Sequence, residues 1–216
     1  MIKKAMILAA GFGKRVQPLT LTKPKPLLEI GTETLLFKSL NFLKLFGIQE
    51  VTINVHYLAE QIINYINKNN FKINIKIINE KKEILDTGGG IKNAISSFAE
   101  EPIIILNPDT LWGKQYLNEL KLLEDFFIKN KSNLCSLLVV NKKKSFDNSF
   151  KGDFNLNNQI LSRKNKDDHQ YIYTGIQIIN PRIFDNIKEN VFSMNKVWDQ
   201  LIIKNQLFGI ESKEDF

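Results

Sequence analysis

The sequence is poor in the residues that most often carry covalent, redox or metal chemistry. It has one cysteine, Cys135, and two histidines, His56 and His169, among 216 residues. A lone cysteine can make neither an internal disulfide nor a zinc site. Its place in the apolar run 134–140 predicts a buried, inert thiol in a reducing cytoplasm. The histidines lack metal-type spacing, and no Ser-His-Asp or Cys-His set is present, which disfavours chemistry that needs a strong general base. Arginine is scarce as well: Arg15, Arg163 and Arg182 are set against 27 lysines. Nucleic-acid surfaces rely on arginine and on clustered basic faces. The net charge of +7 accompanies 24 asparagines and reads as a compositional bias, and the tight cluster 142–144 reads as a solvated loop, so no nucleic-acid partner is expected. No apolar run approaches the roughly 18 residues a membrane helix needs. Residues 1–10 are too short an apolar stretch for a signal peptide and lead into a glycine loop.

What is present is patterned. The chain is 43% hydrophobic and 25% charged, as a soluble globular protein is. Short apolar runs at 5–9, 51–55, 103–106 and 134–140 read as buried strands, and the period-two pattern of 71–78 as a strand with one wetter face. Helical spacing recurs between them, at 35–46 with Gly47 as its stop, at 58–66, from Ile91 to Phe98, and at 116–128. This alternation predicts an α/β fold of three layers around a mainly parallel sheet. Segments 150–156 and 159–163 read as a hairpin turning at Asn157-Asn158, followed by a strand at 171–179 and a closing helix at 197–204. No repeat or linker divides the chain, so a single domain over 1–216 is expected. In such sheets ligands bind beyond the carboxyl ends of the strands.

The residues just after the strands are therefore the ones to read. Gly11 and Gly13 follow the first strand and let backbone N–H groups approach an anion. Lys14 and Arg15 follow them, and a guanidinium fork suits polyphosphate. The loop is not a P-loop, since Arg15 stands where Ser or Thr belongs, nor a dinucleotide fingerprint, since Val16 takes the third glycine position. Lys25 lies between Pro24 and Pro26, which stiffen it and push it toward an extended shape. Gly88-Gly89-Gly90 opens a helix, which exposes N–H donors and removes side chains that would block a flat ligand. Asp109, after the strand 103–106, fits either a Mg²⁺ ligand or a turn or helix-capping aspartate. With no strong base available, phosphoryl-type transfer is the favoured chemistry, because it relies on positioning and charge neutralisation.

The run Ala9-Ala10-Gly11-Phe12-Gly13-Lys14-Arg15, with Leu19-Thr20 and Lys23-Pro24-Lys25-Pro26-Leu27, resembles the sugar-1-phosphate nucleotidyltransferase family. So do Asn54-Val55-His56-Tyr57-Leu58, Thr87-Gly88-Gly89-Gly90-Ile91, Gly152-Asp153-Phe154 and Tyr173-Thr174-Gly175-Ile176. The resemblance implies a Rossmann-like nucleotidyltransferase fold with a mixed, mainly parallel sheet. It implies transfer of a nucleoside monophosphate from a triphosphate to a sugar 1-phosphate, with release of pyrophosphate. Within the family it leans toward UTP and N-acetylmuramate 1-phosphate, in cytoplasmic cell-wall recycling. GTP with mannose or heptose 1-phosphate, CTP with phosphocholine, and a non-catalytic nucleotide-sugar-binding protein stay open. By position, the resemblance implies that Ala10 and Gly11 lie against the base, that Gly13, Lys14 and Arg15 hold the triphosphate, and that Glu80, Thr87 and Gly88 line base and ribose. Arg15, Lys25 and Asp109 would be catalytic, with Asp109 on Mg²⁺. Asn107, Asp153, Thr174 and Gly175 would face the sugar. A monomer or small homo-oligomer, without membrane attachment, is expected. Two departures stand out. Pro108 replaces the family's glycine before the metal aspartate, and no Trp-x-Asp-x-Gly-Thr segment with a second metal aspartate is found. A missing C-terminal segment would explain the latter, and Asp215 is not assigned to the role.

Overall fold

The computed structural model describes residues 1–80, 83–98, 100–147, 149, 151–163 and 169–216. The chain opens with strand β1 (Lys4–Ala9) and, after a long loop, a two-stranded ribbon of β2 (Glu29–Ile30) and β3 (Glu33–Thr34). Helix α1 (Leu35–Phe46) starts where Thr34 Oγ1 accepts from Phe37 N at 3.1 Å and stops at Gly47, whose φ of 99° only glycine takes readily. Then come β4 (Glu50–Val55), α2 (Ala59–Lys68), β5 (Asn74–Asn79), α3 (Asp86–Ala94), β6 (Ile103–Leu106), α4 (Tyr116–Lys129) and β7 (Cys135–Asn141). The last part holds β8 (Asn155–Asn157), β9 (Ile160–Ser162), β10 (Tyr171–Ile179), α5 (Met194–Ile203) and β11 (Phe208–Glu211).

Nine strands form one sheet in the order β5-β4-β1-β6-β10-β7-β11-β9-β8. The first four run parallel, β10 is antiparallel to both β6 and β7, and β11 is parallel to β7. Side-chain alternation divides the core. Ala5, Ile7 and Ala9 of β1 face α1, α2 and α4, together with Ile104 and Leu106 of β6. Met6, Ile103, Ile105 and Leu137 face α3 and α5 on the opposite side. Both faces are covered, which is why the central strands read as unbroken apolar runs. The three-layer, mainly parallel architecture expected from the periodicity is the one observed. No helix among the described residues is long and apolar enough to cross a membrane.

Several details differ from the sequence expectation. The wet-faced strand begins at Asn74, and Phe71 instead packs by its ring against Phe37 and Tyr65 at 5.9 and 6.0 Å. The hairpin turns one residue later, at Asn158-Gln159, where both residues have positive φ, 47° and 64°. Phe150, included in that hairpin, lies outside the described residues. The closing helix begins at Met194 and is not the last element, because β11 follows it and slots between β7 and β9. Four residues interrupted by Gly209 show no period. The glycine is used for packing, since a Cβ there would stand 2.8 Å from Leu161 Cγ.

The hairpin is held to the body through Phe154, which is fully buried, with the Trp198 ring 5.8 Å away and the Arg163 guanidinium 4.6 Å over its face. Phe154→Ala is expected to lower unfolding stability by about 3–5 kcal/mol. Urea denaturation checks this, and a loss below about 1 kcal/mol would contradict so central a packing role.

Candidate active site

Neighbouring strands β1 and β6 run parallel in register, with Ile7 opposite Leu106, so the loops leaving their carboxyl ends lie side by side. The first loop turns at Gly13, whose φ is 65° and whose carbonyl accepts from Val16 N and Thr20 Oγ1, both at 2.9 Å. Lys14–Val16 then form one 3₁₀ turn. Helix α2 and the residues before it stitch this loop down. The Tyr57 hydroxyl donates to the carbonyls of Thr20 and Leu21 at 2.9 and 3.0 Å, and Gln61 Nε2 donates to Thr22 O at 2.9 Å. Phe12 leans on His56 and Tyr57, with Lys14 Nζ 5.5 Å from its ring centre.

Lys25 does not sit on the extended stretch expected of a residue before proline. It opens a 3₁₀ turn, Lys25–Leu27, closed by Leu27 N to Pro24 O at 2.8 Å and Leu28 N to Lys25 O at 3.0 Å. Pro26 occupies an early turn position where no internal N–H is needed, so the turn costs it no hydrogen bond. The turn aims Lys25 Nζ at Asp109 Oδ2, 2.6 Å away. That pair stands where two cavities meet. The smaller, of about 330 Å³, is lined by Ala10, Gly11, Gly13, Lys14, Arg15 and Thr87, among others. The larger, of about 940 Å³, is lined by Asp153, Tyr173, Thr174, Gly175 and Trp198, among others. Arg15, Lys25, Thr87, Asn107 and Asp109 line both.

The far wall depends on an irregularity in β10. Its register with β7 shifts between Tyr173 and Gln177, around Gly175 with φ 99°. There Asn107 N donates to Gly175 O at 2.9 Å, and Thr110 Oγ1 donates to Thr174 O at 3.1 Å. The bulge thus joins the end of β6 to the larger cavity. Pro108, which replaces a backbone donor, is buried and lines the smaller cavity.

Two expected nucleotide residues are placed elsewhere. Glu80 is buried and does not line the smaller cavity; it borders a separate pocket with Leu85, Gly89 and Asn190. Its carboxylate accepts from Asn54 Nδ2 at 2.7 Å and from Leu85 N at 3.0 Å, so it braces the approach to α3. Gly88 is likewise buried and does not line it. The three glycines do not start α3 but lie within it, and the close approach they allow is to the protein itself. A Cβ on Gly88 would meet Phe192 at 2.4 Å, on Gly89 the Asn190 carbonyl oxygen at 2.0 Å, and on Gly90 Asn54 Nδ2 at 2.7 Å. The segment that crosses α3 is hydrogen-bonded there, by Gly89 N to Phe192 O at 3.0 Å and Met194 N to Thr87 Oγ1 at 2.9 Å.

Sequence reading passed over Asn54 as a site residue. It lines the smaller cavity, and its Oδ1 accepts from Ala9 N at 3.0 Å, which fixes the end of β1. An amide inside the apolar strand 51–55 was the available signal. His56 is not turned to the chemistry, and its Nδ1 is 2.5 Å from Glu80 O. The Cys135 thiol is buried, with its pKa pushed up by that burial.

Metal fit follows from the donor set. No three His, Cys, Asp or Glu side chains among the described residues could hold a cation together. Asp109, alone at the junction and partly exposed, suits Mg²⁺ in the form that takes one carboxylate and completes its shell with phosphate oxygens and water.

The model of the nucleotidyl transferase family matches residues 4–201, and the chain belongs to that family. It is 28% identical over 214 residues to the N-acetylmuramate alpha-1-phosphate uridylyltransferase of Caulobacter vibrioides, covering 96% of this chain and 88% of that protein. It is also 28% identical over 214 residues to the mannose-1-phosphate guanylyltransferase catalytic subunit beta of Dictyostelium discoideum, covering 96% of this chain but 58% of that protein. Among solved structures, HddC from Yersinia pseudotuberculosis superposes with a TM-score of 0.76 at 21% identity, covering 98% of this chain and 91% of that one. A UDP-glucose pyrophosphorylase complexed with UDP-glucose gives a TM-score of 0.76 at 18% identity, covering 98% and 90%. At those identities the likeness is one of fold.

The glycine packing yields a test. Gly89→Ala is expected to destabilise the fold by about 1–3 kcal/mol through overpacking. Alanine's helix advantage of about 1 kcal/mol opposes this but does not move the Asn190 backbone. A thermal midpoint unchanged or raised in the variant would show that the crossing segment yields freely.

Proposed function

We propose that this chain transfers a nucleoside monophosphate from a nucleoside triphosphate to a sugar 1-phosphate and releases pyrophosphate. The observation that carries the reading is the Lys25–Asp109 pair at the junction of the two cavities, 2.6 Å apart, with Arg15 lining both. The smaller cavity would take the nucleotide and the larger the sugar. An oxygen of the sugar phosphate attacks the α-phosphorus in line. One P–O bond forms as the bond to the β-phosphate oxygen breaks, and pyrophosphate leaves toward Arg15. No proton need be removed from the attacking group, because a phosphate monoester with a second pKa of about 6 is largely ionised at neutral pH. Lys25 neutralises the charge gathering at the transferred phosphoryl, and the N–H groups after Gly11 and Gly13 receive the leaving phosphates. Mg²⁺ held by Asp109 would supply further neutralisation and orient the phosphates when bound.

Likeness to the Caulobacter relative supports UTP with N-acetylmuramate 1-phosphate, and likeness to the Dictyostelium relative supports GTP with mannose 1-phosphate. Equal identity of 28% leaves the pair balanced on that ground. The test is release of pyrophosphate on incubation with each of the four triphosphates and a panel of sugar phosphates. Lys25→Ala and Asp109→Ala are each expected to cut turnover by about 10²–10³-fold while leaving the fold intact by circular dichroism. Turnover near the wild-type rate in either variant would remove the mechanism. Binding of nucleotide without pyrophosphate release would favour a non-catalytic nucleotide-sugar-binding protein.

A further inference from the structure

Arg163 is one of only three arginines, and it follows directly on β9. Its guanidinium reaches across to one face of α5, where Asn195 and Asp199 stand four residues apart. Nη1 donates to Asp199 Oδ1 at 2.6 Å, and Nη2 donates to Asn195 Oδ1 at 2.5 Å. The group lies 4.6 Å from the Phe154 ring centre and 5.9 Å from that of Trp198. The ring contacts and the pair with Asp199 already tie the hairpin to α5. The second arm of the fork does something different, because it sets the direction of an amide.

A guanidinium has donors only, so the oxygen of the Asn195 side chain must be the end that faces it. The nitrogen end keeps two N–H groups. One reaches Ser193 Oγ over a long 3.3 Å, and the other has no partner among the described residues. The backbone beneath is held as firmly. Ser193 Oγ accepts from Asn195 N at 3.2 Å, and Met194 N donates to Thr87 Oγ1 at 2.9 Å. Asn195 lines the larger cavity and not the smaller, whereas Arg163 lines neither. A donor of fixed direction therefore stands on the wall of the larger cavity, away from the Lys25–Asp109 junction. Fixing it in advance spares the entropy that a loose side chain would lose on binding.

We infer that Asn195 Nδ2 donates to an oxygen of the acceptor sugar, and that Arg163 is the positioning residue that turns the amide to do so. The inference rests on the nucleotidyl-transfer reading. With the acceptor's phosphate at the Lys25–Asp109 junction, its sugar fills the rest of the larger cavity, where Asn195 stands. Arg163 touches no substrate and acts through Asn195.

Asn195→Asp separates this role from a merely structural one. Aspartate has the same shape, keeps the bond to Arg163 as an ion pair and suits the first turn of a helix, so the variant is expected to unfold at the wild-type temperature or above. It also exchanges the donor for an acceptor. Steady-state pyrophosphate release is measured with whichever of mannose 1-phosphate and N-acetylmuramate 1-phosphate gives the higher kcat/KM. Asn195→Asp and Asn195→Ala are each expected to raise KM for that acceptor by about three- to tenfold and to leave KM for the triphosphate unchanged. Arg163→Met keeps an apolar stem over Phe154 and removes the fork. It is expected to raise the acceptor KM by a similar factor and to add nothing in the Asn195→Ala background. An acceptor KM within about twofold of wild type in Asn195→Asp, or an Arg163→Met effect that multiplies fully with that of Asn195→Ala, overturns the inference and leaves the transfer reading standing. Should Arg163→Met fail to fold, Asn195→Asp alone decides. If the wild type turns over no acceptor, the transfer reading fails, and calorimetric binding of the two sugar phosphates to wild type and both Asn195 variants decides instead. Weaker binding by both variants upholds the contact, whereas equal binding, or no binding by the wild type, overturns it.

Discussion

The parallel pairing of β1 with β6 is the constraint from which the rest of the site follows. With Ile7 opposite Leu106, the glycine loop and the turn bearing Asp109 must leave the sheet at the same edge, a strand apart. The loop then has to return far enough to present Lys25, and the turn Lys25–Leu27 does so. There Lys25 Nζ and Asp109 Oδ2 stand 2.6 Å apart at a partly covered point. The result is a junction of opposite charges set between two cavities, which is what transfer of a phosphoryl group between two bound phosphates requires.

The antiparallel strand β10 supplies the second half of the arrangement. An all-parallel sheet would end in helices on every side. Running β10 back between β6 and β7 instead lets a bulge at Gly175 approach Asn107 and Thr110, and opens the larger cavity beside the junction. Thr87 links the two halves, since it lines both cavities and its hydroxyl accepts from Met194 N. The crossing segment before α5 therefore ties the walls of the two cavities together through one side chain.

Much of this was legible in the sequence because it is local. Short apolar runs located β1, β4, β6 and β7, and the rule that ligands sit beyond carboxyl ends of strands singled out Gly11, Gly13, Arg15 and Asp109. Composition and period could not show what depends on distant partners. The role of Gly88-Gly89-Gly90 is set by Phe192 and Asn190, about a hundred positions away, so a triplet read as an opening for a ligand is a seat for the chain itself. Glu80 is held by Asn54 and Leu85, and no local pattern reveals either partner. Strand β11 is only four residues long and exists because β7 offers it an edge.

The most direct test is a crystal structure with a non-hydrolysable nucleoside triphosphate and Mg²⁺. Lys25 Nζ should contact the α-phosphate, with the ion on Asp109 and the remaining phosphates along Gly13–Arg15. A nucleotide seated away from that junction, with Lys25 still bonded to Asp109 and no phosphate between the cavities, would contradict the placement of the chemistry there.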